Sequence, residues 1–599
     1  MKRQAQYLSL IAQEYAKELT PKDSVHIPWA VLESLVRSQK TALGNSYDEF
    51  LSCVKERDVL RYLKLSQSVA DPLLYDSPSS YWGNAMVASF LKKFPFGKVA
   101  GLDPEGKAKD RSEIAEKRCR ITNRRLRYYS SHWYRLKQHD RWLGTVFHNA
   151  RLKIQNWLGP VNLNEVYDHA HHGPGGTLSG PRPFSTAYFK YAVKEAGYTV
   201  SARCEPYAEA AILADPLWTR SLVAHSLGLT PWDVSTTPAL ARETVRAALK
   251  GANYNRVTYV PKTASVHRAI AIEPLMNIYL QLGVGSVLKK RLAAAGCDLR
   301  SQEKNQQLAL LGSQNTIPDF ERPATVDLEM ASDTLAIELV RELLPEDWFY
   351  LLSDLRSPFG LQADGSVRKW AKFSSMGNGY TFELESLIFY ALVCSTVEYF
   401  HGSLEYVSVF GDDIILPHYW YPMVRECLQF AGFRINNEKS FVAGPFRESC
   451  GADYFEGTAV RPFYLKRQIK SRKDLIFLTN SLVVFATIDE SSAYATASDF
   501  VRNRLPKLLR DELLGPLTED PEGHLFTSFD LAQKARSVKW NRDLQCWSFL
   551  TFRAKARVWE NKPVASFQYL QFMEGVTSMD GFEPRSPRES SKARVVLSG

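Results

Sequence analysis

Cysteine is sparse and scattered: the 599 residues hold eight, with no Cys-x-x-Cys pair. That spacing excludes a zinc ribbon and a disulfide framework, and it suits a reducing cytoplasm. Long apolar runs are also missing. The two longest, around residues 386–394 and 475–488, are short or broken by polar residues and fall below the roughly 20 residues that span a bilayer. The first 19 residues have no uninterrupted apolar stretch. Their Tyr7, Leu8, Leu10, Ile11 and Tyr15 have the spacing of an amphipathic helix, not of a secretion signal. Internal repeats and long low-complexity tracts are absent. The expectation is a soluble chain that is neither exported nor inserted in a membrane.

What is present is the composition of an ordinary folded protein: 45% hydrophobic, 23% charged and 12% aromatic residues. The length suits about four modules. Lys and Arg exceed Asp and Glu by ten, a surplus that favours a polyanionic partner, of which nucleic acid is the commonest. Residues 1–100 read as mostly helical, with a Pro/Ser/Gly break at 76–83. Residues 111–142 form a basic helical stretch in which Lys117, Arg118, Arg120, Arg124, Arg125 and Arg127 are followed by Tyr128, Tyr129, Trp133 and Tyr134. This pattern suits RNA contact, with cations on phosphates and rings for stacking, and equally a charged helix whose aromatics enter a core. Residues 172–183 read as a Gly/Pro loop, and His169, His171 and His172 beside it as polar loop lining, since no Cys or acid at ligand spacing accompanies them. From 255 to 465 short β-type runs alternate with helical patterns, an α+β signature. Beyond 470 the chain reads as largely helical, with a polar, basic and mobile tail from Pro584.

Four elements carry chemistry. Tyr406-Val-Ser-Val-Phe-Gly-Asp-Asp-Ile-Ile-Leu416 reads as a hairpin with Asp412 and Asp413 exposed at its tip, where adjacent carboxylates call for a divalent cation. Ala324-Thr-Val-Asp-Leu328 reads as a strand ending at Asp327, which can face the same metal. Asp333 follows, placed either as a helix N-cap or as a hydrogen-bond partner for a ribose hydroxyl. Ser374-Ser-Met-Gly-Asn-Gly-Tyr-Thr381 precedes a long helical run, and Gly377 and Gly379 let backbone approach a ligand closely. Tyr259-Val-Pro-Lys262 and His267-Arg268 form a basic strand pair suited to a triphosphate.

In this order the four elements resemble motifs F, A, B and C of viral RNA-directed RNA polymerases. The wording of Ala269-Ile-Ala-Ile-Glu-Pro274, Ser374 to Phe389, Gly411 to Pro417 and Gly444-Pro-Phe-Arg-Glu-Ser-Cys-Gly451 is similar to the replicase β subunits of small positive-strand RNA bacteriophages. The firm resemblance spans about residues 255–470.

The resemblance implies an α+β right-hand fold of fingers, palm and thumb. It divides the chain into an N-terminal region and fingers (1–250), fingers with basic NTP-binding strands (251–320), a catalytic palm (321–445), and a palm–thumb border, thumb and tail (446–599). It implies primer-independent RNA synthesis with two Mg²⁺ ions, for which Mn²⁺ can substitute, held by Asp327, Asp412 and Asp413. Lys439 corresponds to a lysine that protonates pyrophosphate. Lys262, Arg268, Asp333, Ser375, Gly377, Asn378 and Thr381 correspond to NTP-binding positions, and Arg124, Arg125 and Arg127 lie in a stretch expected to contact template RNA. Two positions depart from polymerases at large: Met376 stands before the motif B glycine in place of Ser, and Glu385 stands in place of Asn. Ser265 replaces a further basic residue. Partners implied are single-stranded RNA, NTPs, host elongation factors Tu and Ts and the largest small-subunit ribosomal protein, in the cytoplasm of a bacterial host. The competing expectations are a reverse transcriptase and a non-catalytic RNA-binding subunit.

Overall fold

The structure is a computed structural model that describes residues 2–130, 132–180, 187–191, 197–229, 233–487, 492–535, 537–556 and 589–598. Helix starts follow a repeated local rule. Thr20-Pro21, Ser77-Pro78, Asp103-Pro104, Asp215-Pro216 and Thr237-Pro238 each place a side-chain oxygen on a free backbone N–H of the first turn, followed by a proline that has no N–H to lose. Ser77-Pro78 is therefore a helix start, and Pro78–Ser89 is helical where a break at 76–83 was expected. The basic helix runs Pro104–Tyr129 and stops short of the anticipated 142. Two 3-10 turns, Trp133–Arg135 and Gln138–Asp140, separate it from the helix Arg141–Leu158.

The middle of the chain is mixed α and β. A three-stranded antiparallel sheet has Asp413–Pro417 at its centre, flanked by Pro323–Val326 and Ser408–Phe410. Its registers pair Val326 with Ile414 and Phe410 with Asp413. A second sheet, of four strands, contains the antiparallel hairpin Tyr254–Pro261 and His267–Ile272. The apolar helix Thr381–Tyr399 is buried along nearly its whole length, as befits a helix with no polar face.

Two hydrophobic cores emerge. One gathers residues from Cys119 to Ile435 around the helices Leu275–Ala294 and Thr381–Tyr399. The other joins residues 11–96 to residues 441–552, so the two ends of the chain share one core. Backbone pairing repeats the link: Glu18 bridges Ser471, Leu19 N donates to Lys470 O (2.8 Å), and Leu465 N donates to Phe90 O (2.9 Å).

The C-terminal region departs from the helical expectation. After the helices Arg472–Ala486, Ala493–Arg502 and Lys507–Glu512, the chain forms an antiparallel sheet of Lys539–Asn541, Cys546–Ala556 and Glu589–Ser598. Most of the tail expected to be mobile is thus a paired strand, and residues 584–588 lie outside the described ones. Long β-branched and aromatic runs such as Cys546–Phe552 already favour a strand over a helix. All eight cysteines are buried and free. Among the described residues no helix is long and apolar enough to cross a membrane.

Candidate active site

The hairpin turn is two residues, Gly411 and Asp412, between Phe410 and Asp413. Gly411 has φ +63°, and a Cβ there would lie 2.5 Å from the Phe382 ring, so glycine is required on two counts. Its N–H donates to Ser386 Oγ (3.0 Å), which ties the turn to the buried helix. Asp412 is exposed at the tip. Asp413 is not exposed at the tip with it: it opens the central strand, half-buried, and accepts a hydrogen bond from Cys450 N (3.2 Å).

Asp327 lies one residue past the Val326–Ile414 pair, so the antiparallel register carries it toward the Gly411–Asp413 turn. Its position is fixed by the segment 436–440. Asn436 Nδ2 donates to Asp327 Oδ2 (2.6 Å), Asn436 N donates to Asp327 O (2.9 Å), and Asp327 N donates to Ser440 Oγ (3.1 Å). Lys439 sits in this same clamp. Burial acts to lower its pKa, but Asp327, Glu448, Asp412 and Asp413 outweigh burial and raise it.

The acids are short of positive charge. Burial, with the Asp412 charge, pushes Asp327 up to about 6 despite Lys439, and burial with Asp412 and Asp327 pushes Asp413 up to about 7. Among the described residues none of the three forms an ion pair, and no group of three His, Cys, Asp or Glu converges as a finished metal cage. Hard carboxylate oxygens, mutual repulsion and an incomplete set are what Mg²⁺ sites use, because that ion takes one or two carboxylates and completes its shell with water and substrate phosphates. The residues therefore fit a divalent cation delivered with a nucleotide.

Cations border these acids. Lys262 follows the strand Tyr254–Pro261 and Arg268 lies opposite Val260 in the paired strand. Both reach solvent, and neither they nor Lys439 form an ion pair among the described residues. Surrounding protein, then Arg268 and Lys439, lowers the pKa of Lys262, and Asp412 and Asp327 act in the opposite sense.

The glycine loop packs on this basic hairpin. Ala271 N donates to Met376 O (2.7 Å), and Gly377, at φ +111°, comes so close that a Cβ would lie 2.2 Å from Ala271 O. Ser375, Asn378 and Thr381 are buried, and their polar groups serve the loop itself. Thr381 Oγ1 donates to Ser375 O (3.0 Å), and Tyr380 N donates to Asn378 Oδ1 (3.0 Å). They shape the loop's backbone. Glu385 is buried beneath the turn with Oε2 unpartnered; burial first, then Asp412 and Asp333, holds its carboxyl well above the usual range.

Asp333 lies in the turn Ser332–Thr334, and the next helix begins only at Ile337 after the uncapped Ala336. It is thus no helix cap. Instead its Oδ1 accepts from Lys372 Nζ (2.7 Å). Of Arg124, Arg125 and Arg127, only Arg124 is exposed without an ion pair among the described residues. Arg125 packs over Phe430 (5.1 Å), and Arg127 pairs with Glu338 (2.8 Å). His172, expected to line a loop, is enclosed by Tyr191 and Tyr279 at 4.5 and 4.8 Å, and burial lowers its pKa far.

Two residues outside the predicted site residues brace the site. Arg447, fully buried, donates to Pro323 O (2.6 Å), Gly444 O (2.9 Å) and Phe446 O (2.7 Å), and so rivets the turn before Phe446–Ser449 to the sheet that carries Asp413. Asn305 accepts from Ser408 Oγ (2.7 Å) and donates to Asp413 O (3.2 Å), bracing both hairpin strands. The Arg in Gly444-Pro-Phe-Arg447 was a visible signal for the first; a lone Asn in a polar helix offered none for the second.

A family model described as RNA replicase, beta-chain, matches residues 86–518. The chain is 36% identical over 445 residues to the RNA-directed RNA polymerase subunit beta of Escherichia virus Qbeta, covering 73% of this chain and 68% of that one. It is 43% identical over 228 residues to the RNA-directed RNA polymerase beta chain of Escherichia phage MS2, covering 38% and 41%. Among solved structures, the RNA-dependent RNA polymerase of a human picobirnavirus aligns with 42% of this chain and 55% of its own, at 16% identity and a TM-score of 0.30.

Proposed function

The chain belongs to the family of RNA replicase beta-chains and is an RNA-directed RNA polymerase; from that premise we propose that it starts RNA strands from NTPs without a primer and that Asp327, Asp412 and Asp413 form its catalytic centre. One observation carries the assignment: three carboxylates without counter-ions gather at the end of an antiparallel sheet, faced by three cations without counter-ions. A nucleotide triphosphate with its divalent cation satisfies both sets at once.

In this reading the RNA 3′-hydroxyl attacks the α-phosphate of the incoming NTP and pyrophosphate leaves. Asp327, Asp412 and Asp413 would hold two Mg²⁺ ions, or Mn²⁺ in their place, which supply a lowered pKa at the attacking hydroxyl and neutralise charge on the leaving group. Lys262 and Arg268 grip the triphosphate. Lys439, whose ammonium is held protonated by the surrounding acids, is placed to give its proton to pyrophosphate. Asp333 accepts from the ribose 2′-hydroxyl, so a deoxynucleotide leaves it unpaired. Ser375, Gly377, Asn378 and Thr381 set the loop against which the nucleotide lies. Arg124 is the best placed of the three arginines to meet template phosphates.

We assign residues 251–320 to NTP-binding fingers, 321–445 to the palm and 446–599 to the palm–thumb border and thumb, with 1–250 as the N-terminal region and fingers. Work alongside host elongation factors Tu and Ts and the largest small-subunit ribosomal protein, in the bacterial cytoplasm, is part of this proposal on family grounds.

The test is incorporation of labelled NTPs, against dNTPs, on single-stranded RNA without primer, with Mg²⁺, with and without host extract, beside Asp412→Asn. Template-dependent RNA synthesis that the variant loses supports the reading. RNA binding without incorporation under either condition refutes it.

A further inference from the structure

Asp333 is not a free-standing acid. Its Oδ1 is occupied by Lys372 Nζ at 2.7 Å, while Oδ2 accepts no hydrogen bond among the described residues. Lys372 is 3% exposed, and a buried ammonium persists only where acids and hydrogen bonds compensate it. Besides Asp333 it has the Trp370 ring, 4.6 Å from Nζ, and the charge of Glu116.

Glu116 comes from the basic helix Pro104–Tyr129, on its buried side, and is 1% exposed. It accepts from Ala371 N (3.0 Å) and Lys372 N (3.4 Å). Two turns further on, Asn123 of the same helix donates to Ala371 O (2.8 Å) and accepts from Glu338 N (2.9 Å). Between them Cys119 Sγ donates to Asp333 O (3.5 Å). The helix thus clamps both backbones that carry the Asp333–Lys372 pair, and Ala336 and Lys372 are bridged directly.

We propose that Lys372, backed by Glu116, is a positioning residue for sugar selection: it ties one oxygen of Asp333 and leaves the other fixed and aimed at the ribose 2′-hydroxyl. The proposal rests on the reading of Asp333 given above. It also gives the basic helix a role at its buried face that its exposed arginines do not reveal. Without Lys372, Asp333 loses the partner that fixes its rotamer, and its acceptor oxygen is no longer held in one place for the hydroxyl.

The experiment is single-nucleotide incorporation by the full-length chain on an RNA template, with kcat and KM measured separately for an NTP and its 2′-deoxy analogue. The variants are Asp333→Ala, Lys372→Met, Lys372→Arg and Glu116→Gln. Lys372→Met lowers the NTP-to-dNTP ratio of kcat/KM by about tenfold, the size of a lost hydrogen bond to a charged group, with the loss on the NTP side. Lys372→Arg recovers most of the ratio. Equal loss for both nucleotides in Lys372→Met, with a reduced ratio in Asp333→Ala, makes the pair merely structural and overturns the proposal. An unchanged ratio in Asp333→Ala refutes the ribose reading itself, and the proposal with it. If Lys372→Met does not fold, Glu116→Gln decides: a ratio lowered about threefold supports the positioning role, and an unchanged one overturns it.

Discussion

The cleft around Asp327, Asp412 and Asp413 and the flank that joins residues 11–96 to residues 441–552 treat charge in opposite ways. The flank holds a cluster of ion pairs. Glu522 holds Lys473 at 2.9 Å and also Arg467, and Arg472 meets Glu14. In the cleft, Asp327, Asp412 and Asp413 face Lys262, Arg268 and Lys439 with no ion pair formed among the described residues. Paired charge is what a fold needs for its own stability; unpaired charge of both signs, kept apart in one cleft, is what a charged ligand needs.

Substitutions can break or sharpen this contrast. The largest effect is expected at the hairpin tip. Asp412→Asn, or chelation of divalent cations, lowers nucleotide incorporation by about a thousandfold or more while the melting temperature stays within about 2 °C. A variant that lost both together would erase the distinction. In the flank the reverse is expected. Phe455→Ala removes a fully buried ring packed on Tyr81 and Phe446, and costs about 3–5 kcal/mol in denaturant unfolding with kcat of the folded fraction retained. Next in size, Lys262→Gln raises KM for NTP about tenfold without lowering thermal stability, because no protein acid loses a partner. The smallest effect belongs to Glu522→Gln, about 1 kcal/mol of stability and no change in incorporation. Circular dichroism melts alongside steady-state kinetics read all four.

The same contrast explains what the sequence made legible. The hairpin Ser408–Pro417, the basic strand pair and the glycine loop are short and local, and close packing dictates some of their residues. Gly411 cannot carry a side chain beside Phe382, and Gly377 cannot carry one beside Ala271. The strand pair and the helix Thr381–Tyr399 lie where their patterns placed them. What was missed depends on tertiary packing. Asp413 was placed at the tip because a dipeptide does not state which residue opens the strand. A helix cap stayed open as one of two roles for Asp333 because its partner, Lys372, is 39 residues away. The C-terminal sheet was hidden because its strands Cys546–Ala556 and Glu589–Ser598 find each other across a long excursion.

The shared core of residues 11–96 and 441–552 sets a timetable for the nascent chain. The first hundred residues leave the ribosome with an apolar face whose partner is not yet made. At about 5–20 residues per second, the wait for residue 441 is on the order of 20–70 s. The middle core, with its contacts between Cys119 and Ile435, completes inside that interval. The middle core is therefore buried before residues 11–96 meet their partner, while the segment 436–450 that holds Asp327 and Asp413 emerges only as that joining begins, so the site and the closing of the flank are completed together.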